Sequence, residues 1–468
     1  MKKYDVIIVG AGPAGYFCAY ELTKKDPNKK ILLIDKGRSI ADRKCPVLLH
    51  KINKCPINKN GINECYPACS ITNGFGGAGA YSDGKFNITT EFGGWLQSYM
   101  SDEELLELIN YVDSINLDFG ATQVITNPNT PKVKEIEHRA MSVGVKLLRS
   151  KVRHLGTEEN LEILKRFFNY LKDKIDTIFE KSVTDIIVED NQIKGVTLEN
   201  GETIYAEYVV LAVGREGAKW LNETFEKLHI KMSQNQVDIG VRVEMKDAIW
   251  KEFSDKIYEP KILYKTKTFE DRCRMFCFNK GGLVSAENNH GIITANGHSY
   301  AEDEKRTENC NFAILSSIRF TEPFNQPTEY AESISRLANM IGKESVIVQR
   351  FGDLIRGRRT NDHRLGQNTV EPTLKATAGD ISLVLPHRIL TNIIETIYAL
   401  DKVAPGTAND DTLLYGCESK YYSIRPHFIN NKFELTDNIF IIGDGSGICR
   451  GLSQSGAMGI YVADCITQ

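Results

Sequence analysis

Three glycines, Gly10, Gly12 and Gly15, stand in the order G-x-G-x-x-G between an apolar run, Tyr4–Val9, and a stretch of small and apolar residues, Pro13–Thr23. Asp35 follows 20 residues after Gly15, at the end of a second apolar run, Ile31–Ile34, with Lys36 beside it. Strand, glycine turn, helix, strand and acid in that order suit a dinucleotide. The glycines allow a tight turn and the close approach of a pyrophosphate. The helix start at Pro13 and Ala14 offers unpaired N–H groups and a positive dipole end, and the Asp35 carboxylate can accept from ribose hydroxyls. FAD and NAD both fit this pattern.

Four cysteines, Cys45, Cys55, Cys65 and Cys69, fall in a C-x9-C-x9-C-x3-C spacing with prolines after the first two. Thiolates this close in sequence could ligate an iron–sulfur cluster or zinc, although the spacing matches neither standard ferredoxin pattern. Reversible redox thiols and plain burial are the alternatives. Cys273 and Cys277 lack further ligands nearby and read as core residues of a strand. Arg350, Arg356, Arg358, Arg359 and Arg364 crowd RFGDLIRGRRTNDHR, where they could clamp an anion or form an ordinary solvated loop. His298 follows a turn-like Asn296-Gly297 and is a weak candidate for proton donation. The stretch NGFGGAGAYSDGK, from Asn73 to Lys85, has five glycines, which either give up structure or let something large lie against the backbone.

Near the C-terminus, IGDGSGICRG runs from Ile442 to Gly451, a buried strand ending in Gly443-Asp444 before a glycine-rich turn and a helix of small residues. It resembles the second FAD motif of the glutathione reductase-like flavoproteins, and VVLAVGR at Val209–Arg215 resembles the strand-to-glycine segment midway through them. The pairing of GFGGAGAYSDGK with GDGSGICRGLSQSGAMG, together with HLGT at His154–Thr157, is similar to a mostly uncharacterised family of FAD-dependent dehydrogenases. That resemblance implies FAD as cofactor and hydride transfer through flavin N5. It implies a flavin cradle in which Gly76, Gly77 and Gly84 allow backbone contact, Ser82 and Asp83 make polar contacts, Asp444 holds the ribityl chain, and Gly214, Gly443 and Gly447 line the remaining turns. The chain departs from the family where a Cys-Pro-Gly-Gly sequence is expected, having Phe278-Asn279-Lys280-Gly281-Gly282 instead. NAD(P)H as a transient electron donor stays open, since a second strand-bounded G-x-G-x-x-G is missing. Two other functions compete: an electron-transfer or redox-sensing flavoprotein with a cysteine-bound iron–sulfur cluster, and a flavin-dependent enzyme that modifies RNA.

The elements that would position these residues make an α/β chain. A Rossmann-type FAD-binding domain is expected over 1–95, 140–232 and 396–468. An inserted, mostly antiparallel α+β substrate domain is expected over 233–395, and a helical excursion over 96–139. Ser101 with Glu104 forms a capping box for a helix through Leu105, Ile109, Val112 and Ile115, and Thr157 is placed as the cap of another through Leu161 to Ile175. From Thr177 three strand-like runs form a meander leading into Val209–Gly214. Five more, VDIGVRVEM, KILYKTKTF, CRMFCF, GLVSAE and GIITAN, lie between Val237 and Asn296 and suit an antiparallel sheet.

Composition bounds the rest. The 468 residues are 41% hydrophobic and 25% charged, with a formal net charge of -3, which gives no general reason to bind nucleic acid or an anionic membrane. The apolar run after MKK is too short for a signal peptide, and nothing approaches the roughly 18 apolar residues of a membrane span, so a cytoplasmic protein is expected. Eleven cysteines then read as thiols or ligands rather than a disulfide framework. No hydrolase triad, metalloprotease helix or phosphate-transfer loop is present. The expected partner is a small-molecule substrate or electron carrier.

Overall fold

The computed structural model of the chain describes residues 3–46, 49, 51, 65, 67–82, 84–189, 192–257, 259–289, 291–298, 306–321, 323–324, 326–420 and 422–468. Two sheets carry the architecture. In the first, strands follow the order Glu434–Thr436, Ile439–Ile441, Thr203–Leu211, Lys3–Val9, Ile31–Asp35 and Asp176–Phe179, and all but the first of these run parallel. Val6, Ile7 and Ile8 are sealed from solvent, as the unbroken apolar run of a strand covered on both faces requires. The helices Pro13–Lys25 and Leu452–Thr467 pack together against this sheet, and the helix Asp102–Asp118 packs on the second of them. The expected meander is present as Val183–Glu189, Gln192–Leu198 and Thr203–Leu211. Asp176–Phe179 separates from it and joins the parallel edge beside Ile31–Asp35.

The second sheet has the order Thr377–Ala378, Ile347–Arg350, Leu413–Lys420, Val237–Lys246, Asn309–Ile318, Arg272–Asn279, Lys261–Lys265 and Val145–Leu148, antiparallel except for its first pair. Its central strand alternates strictly. Ile239, Val241, Val243 and Met245 point into an apolar core shared with the helices Pro131–Met141, Pro327–Ile341 and His387–Asp401. Asp238, Arg242 and Glu244 point to the opposite face, yet they too are buried. One face of this sheet is thus a conventional core, and the other a buried field of charge.

These pairings shift the expected boundaries. Val145–Leu148 and Leu413–Lys420, both expected in the nucleotide-binding unit, hydrogen-bond into the second sheet, and the helix His387–Asp401 across position 396 lies in the second core. The helical excursion is divided: Leu105, Ile109, Val112 and Ile115 belong to the first core, and Val133, Ile136 and Ala140 to the second. A short apolar strand carries no mark of the sheet it will join, so composition alone misplaced it. Ser101 caps its helix as expected, accepting from the Glu104 N–H. Thr157 does not cap: its helix already starts at Gly156, with Leu155 at the capping position. Among the described residues no helix is long and apolar enough to cross a membrane.

Candidate functional site

Asp35 ties together three loops that are remote in sequence. Its carboxylate accepts from the N–H of Ala11 in the first glycine turn at 2.8 Å, of Gly37 after its own strand at 2.7 Å, and of Gly74 in the glycine-rich stretch at 2.9 Å. Gly76 donates to the Ala11 carbonyl at 2.8 Å, which lays that stretch across the turn. Contact is closest at Gly77, whose φ is +56° and where a Cβ would stand 2.9 Å from the Gly12 Cα, so only glycine fits. The stretch is ordered by two buried side chains. Arg43 donates to the carbonyls of Ser70, Ile71 and Phe75, and Asn160 to those of Gly79 and Ala80. Burial draws the Arg43 guanidinium down to about 10.

The C-terminal motif closes the other side. Gly443, with φ +74°, brings the strand end against Ala14, where a Cβ would stand 2.9 Å from the Ala14 Cβ. Gly445 lies against Gly214, and Arg215 pairs with Asp444 at 2.9 Å. Asn235 donates to the carbonyls of Ser423 and Gly447 at 2.6 and 2.7 Å, pinning the motif to the entry of the second sheet. Two long helices thus start at one place, Pro13–Lys25 and Leu452–Thr467. Their capping positions are Gly12 and Gly451, with no side-chain cap and no acid in the first turn. The helices Asp102–Asp118 and Pro131–Met141, by contrast, are capped by Ser101 and Thr130. Uncapped N–H groups on a positive dipole end are what an anionic or polar ligand satisfies. Beside the second start, Ser423 Oγ, Ser453 Oγ and Gln454 Oε1 are buried with no hydrogen-bond partner among the described residues.

Other candidates fall elsewhere. Lys36 pairs with Glu216 at the surface, and the Ser82 hydroxyl donates to the Gly79 carbonyl, bracing its own turn. Asp83 and Cys55 lie outside the described residues. Cys45, Cys65 and Cys69 do not gather into a metal-holding group, and no such group of three occurs among the described residues. Cys273 is buried in its strand as expected, whereas Cys277 is partly exposed. His298 ends a hairpin strand and is exposed.

The arginine cluster organises itself around one acid. Asp353, fully buried, receives Arg358 at 2.7 Å and the Thr360 hydroxyl at 2.8 Å, with Arg350 at 3.7 Å and Arg364 at 4.0 Å. Arg356 pairs with Asp410 at 2.7 Å, and Arg359 supplies a carbonyl to Arg364. Burial pushes the Asp353 carboxyl up, but hydrogen bonds from Arg358 and Thr360 and the adjacent charges outweigh it and leave the group below its usual range. A lowered carboxyl contributes stability that is full above the unfolded value, about pH 4, and is lost as pH falls through the folded one. Asp353→Asn is therefore expected to cost about 1–3 kcal/mol near neutrality. Its Tm should converge on that of the parent as pH falls below about 4, and a gap that stays constant with pH would contradict this.

Comparison with known proteins assigns the chemistry. A family model described as "FAD-dependent protein, C-terminal domain-like" matches residues 236–421, which hold every strand of the second sheet except the edge strand Val145–Leu148. A model of the NAD(P)-binding Rossmann-like domain matches residues 8–42, the first glycine turn with Asp35. Residues 236–421 thus carry the likeness to this FAD-dependent family. A third model, "Glucose inhibited division protein A", matches residues 160–266 of this FAD-dependent chain, across the meander. An uncharacterized protein of Methanosarcina barkeri is 61% identical over 36 residues, which span 8% of this chain and 9% of that protein. Among solved structures, a formate oxidase is similar at a TM-score of 0.47 and 12% identity, covering 99% of this chain and 98% of its own. The glycine oxidase of Geobacillus kaustophilus is similar at 0.38 and 12%, covering 100% and 95%.

The site fits FAD by its own structure. It offers a cradle that a Cβ at Gly77 would fill, two uncapped helix starts and a set of buried oxygens lacking donors. Sequence patterns revealed the glycines and both acids. They did not reveal Arg43, Asn160 or Asn235, which stand in no motif and act on carbonyls far from them in sequence.

Proposed function

We propose that this FAD-dependent oxidoreductase carries its cofactor across the two uncapped helix starts and moves a hydride between flavin N5 and a small substrate held against the second sheet. The pyrophosphate would lie over Gly10, Gly12, Pro13, Ala14 and Gly15, with Asp35 and Lys36 toward the adenosine ribose. Gly76, Gly77, Ser82, Asp83 and Gly84 would cover it, and Gly214, Gly443, Asp444 and Gly447 would take the ribityl end. When bound, FAD supplies the redox chemistry, exchanging a hydride at N5. The chain's own residues do the rest. The uncapped start of the helix Leu452–Thr467 would offer its positive end to the ring and favour negative charge there.

The observation that carries this reading is the convergence, on Asp35 and Ala14, of three glycine turns that lie apart in sequence, around Gly12, Gly76 and Gly443. The cluster-relay function finds no ligand group among the described residues to support it. Anaerobic mixing of the flavin-loaded protein with a panel of hydride donors, NADH, NADPH, amino acids and hydroxy acids, tests the reading. Bleaching of the oxidised flavin band by one of them, and its return with a two-electron acceptor, is expected. A bound flavin that no donor reduces and no acceptor reoxidises after chemical reduction would contradict it.

A further inference from the structure

The start of the helix Leu452–Thr467 carries more unsatisfied chemistry than a positive dipole end. Ser423, Ser453 and Gln454 are only 6, 5 and 2% exposed, yet Ser423 Oγ, Ser453 Oγ and Gln454 Oε1 have no hydrogen-bond partner among the described residues. Hydroxyl groups close by are served by the fold itself. Ser446 donates to the Gly443 carbonyl at 2.6 Å, and the Ser455 hydroxyl lies 3.3 Å from the Cys449 thiol. An interior polar atom without a partner costs free energy in the empty protein, so three around one helix start mark the place of a ligand's own polar groups.

Two remote segments bring the three together. The Trp95 N–H donates to the Ile448 carbonyl at 2.7 Å and the Arg450 N–H to the Gly93 carbonyl at 2.5 Å, which lays Gly93–Trp95 along the approach to the helix. From the other side Asn235 holds the carbonyls of Ser423 and Gly447, and the Tyr422 ring stands 5.1 Å from that of Trp95. Gln454 donates its amide N–H to the Phe92 carbonyl at 3.1 Å, which fixes the amide and leaves Oε1 as a bare acceptor. A Cβ at position 94 would stand 2.5 Å from that oxygen, so the glycine there gives it room. Backbone adds to the set, since the N–H groups of Leu452, Ser453 and Gln454 fall in the first turn and Gly451 supplies no side-chain cap.

The side chains thus offer one fixed acceptor and two hydroxyls that can donate. The pyrimidine edge of an isoalloxazine presents the inverse, two carbonyl oxygens with the N3 proton between them. We propose that Ser423, Ser453 and Gln454 read this edge of the flavin, Gln454 accepting from N3–H and the two serine hydroxyls donating to the carbonyl oxygens on either side of it. This rests on the flavin reading above and extends it from the phosphate and sugar portions of the cofactor to the ring. A site built to pair a donor rejects an analogue that lacks it, because its own buried acceptor is then left bare.

Reconstitution of the FAD-free full-length protein with FAD and with 3-methyl-FAD, in which a methyl group replaces the N3 proton, tests the proposal by fluorescence titration. FAD is expected to bind at least about tenfold more tightly than the analogue. In Gln454→Ala the preference should shrink to about twofold or less, and comparing two flavins within one variant cancels whatever the lost contact to Phe92 does to the fold. Ser423→Ala and Ser453→Ala should each weaken FAD binding by about fivefold or more, while the Tm of the FAD-free variants stays level with the parent or rises, because an unpaired buried hydroxyl has been removed. A hydroxyl that serves the fold alone would give the reverse, a lower Tm with FAD affinity unchanged. That result, equal binding of the two flavins by the parent, or a preference that survives in Gln454→Ala would each overturn the proposal and leave the flavin reading standing. A parent protein that takes up neither flavin would overturn the flavin reading itself, and the proposal with it.

Discussion

Asp35→Ala is expected to abolish FAD retention and to destabilise even the FAD-free chain by about 3 kcal/mol. The reason is geometric. One carboxylate accepts from Ala11, Gly37 and Gly74, and its loss leaves three part-buried N–H groups without their acceptor at about 1 kcal/mol or more each. The glycine-rich stretch would then lose its anchor to the first turn and the cradle would open. Flavin content after gel filtration and the denaturation midpoint of the FAD-free protein are the two readouts. Asp35→Asn keeps one accepting oxygen and should fall between, retaining part of the stability and little FAD. An alanine variant that keeps stoichiometric FAD would show that the three loops hold their positions without the carboxylate.

Arg242→Met should cost about 3–5 kcal/mol, although it touches neither glycine turn. Arg242 and Glu418 are both fully buried and pair at 3.0 Å across neighbouring strands of the second sheet. Arg242 also donates to the Cys277 carbonyl and to Asn296, each at 2.9 Å. Removing the guanidinium leaves the buried Glu418 carboxylate with only Lys420, at 3.5 Å, beside it, and desolvation of that charge dominates the loss. Adding Glu418→Leu should recover most of it, because a buried ion pair replaced by apolar groups of similar size is often neutral or better. Lys420 keeps Glu287 at 3.5 Å in the double variant. Denaturant unfolding distinguishes the outcomes, and a double variant no more stable than the single one would contradict this account.

What could be read from residue order was whatever is local. The turns at Gly10–Gly15 and Gly443–Gly447 each sit between an apolar strand and a helix, and Asp35 ends the next apolar strand after the first turn, so spacing alone marks them. The Ser101 capping box is legible for the same reason: donor and acceptor are three residues apart. What escaped is whatever depends on a distant partner. Asp35 was legible as an acid at the end of a strand, but its three bonds to loops that span positions 11 to 74 were not. Arg43 shows no motif, since its targets are carbonyls that any residue would present. The arginines around Asp353 read as a possible anion clamp because their counter-ion looks, in sequence, like one acid among many. Strands such as Leu413–Lys420 were placed in the wrong sheet because β-pairing is chosen by topology rather than by composition.

We infer that these turns hold FAD. The visible absorption spectrum of the purified full-length protein, together with mass analysis of whatever cofactor heat denaturation releases, tests it most directly. An oxidised flavin spectrum and one released FAD per chain are predicted, either as purified or after incubation with FAD and gel filtration. A colourless protein that takes up no FAD on reconstitution would contradict it.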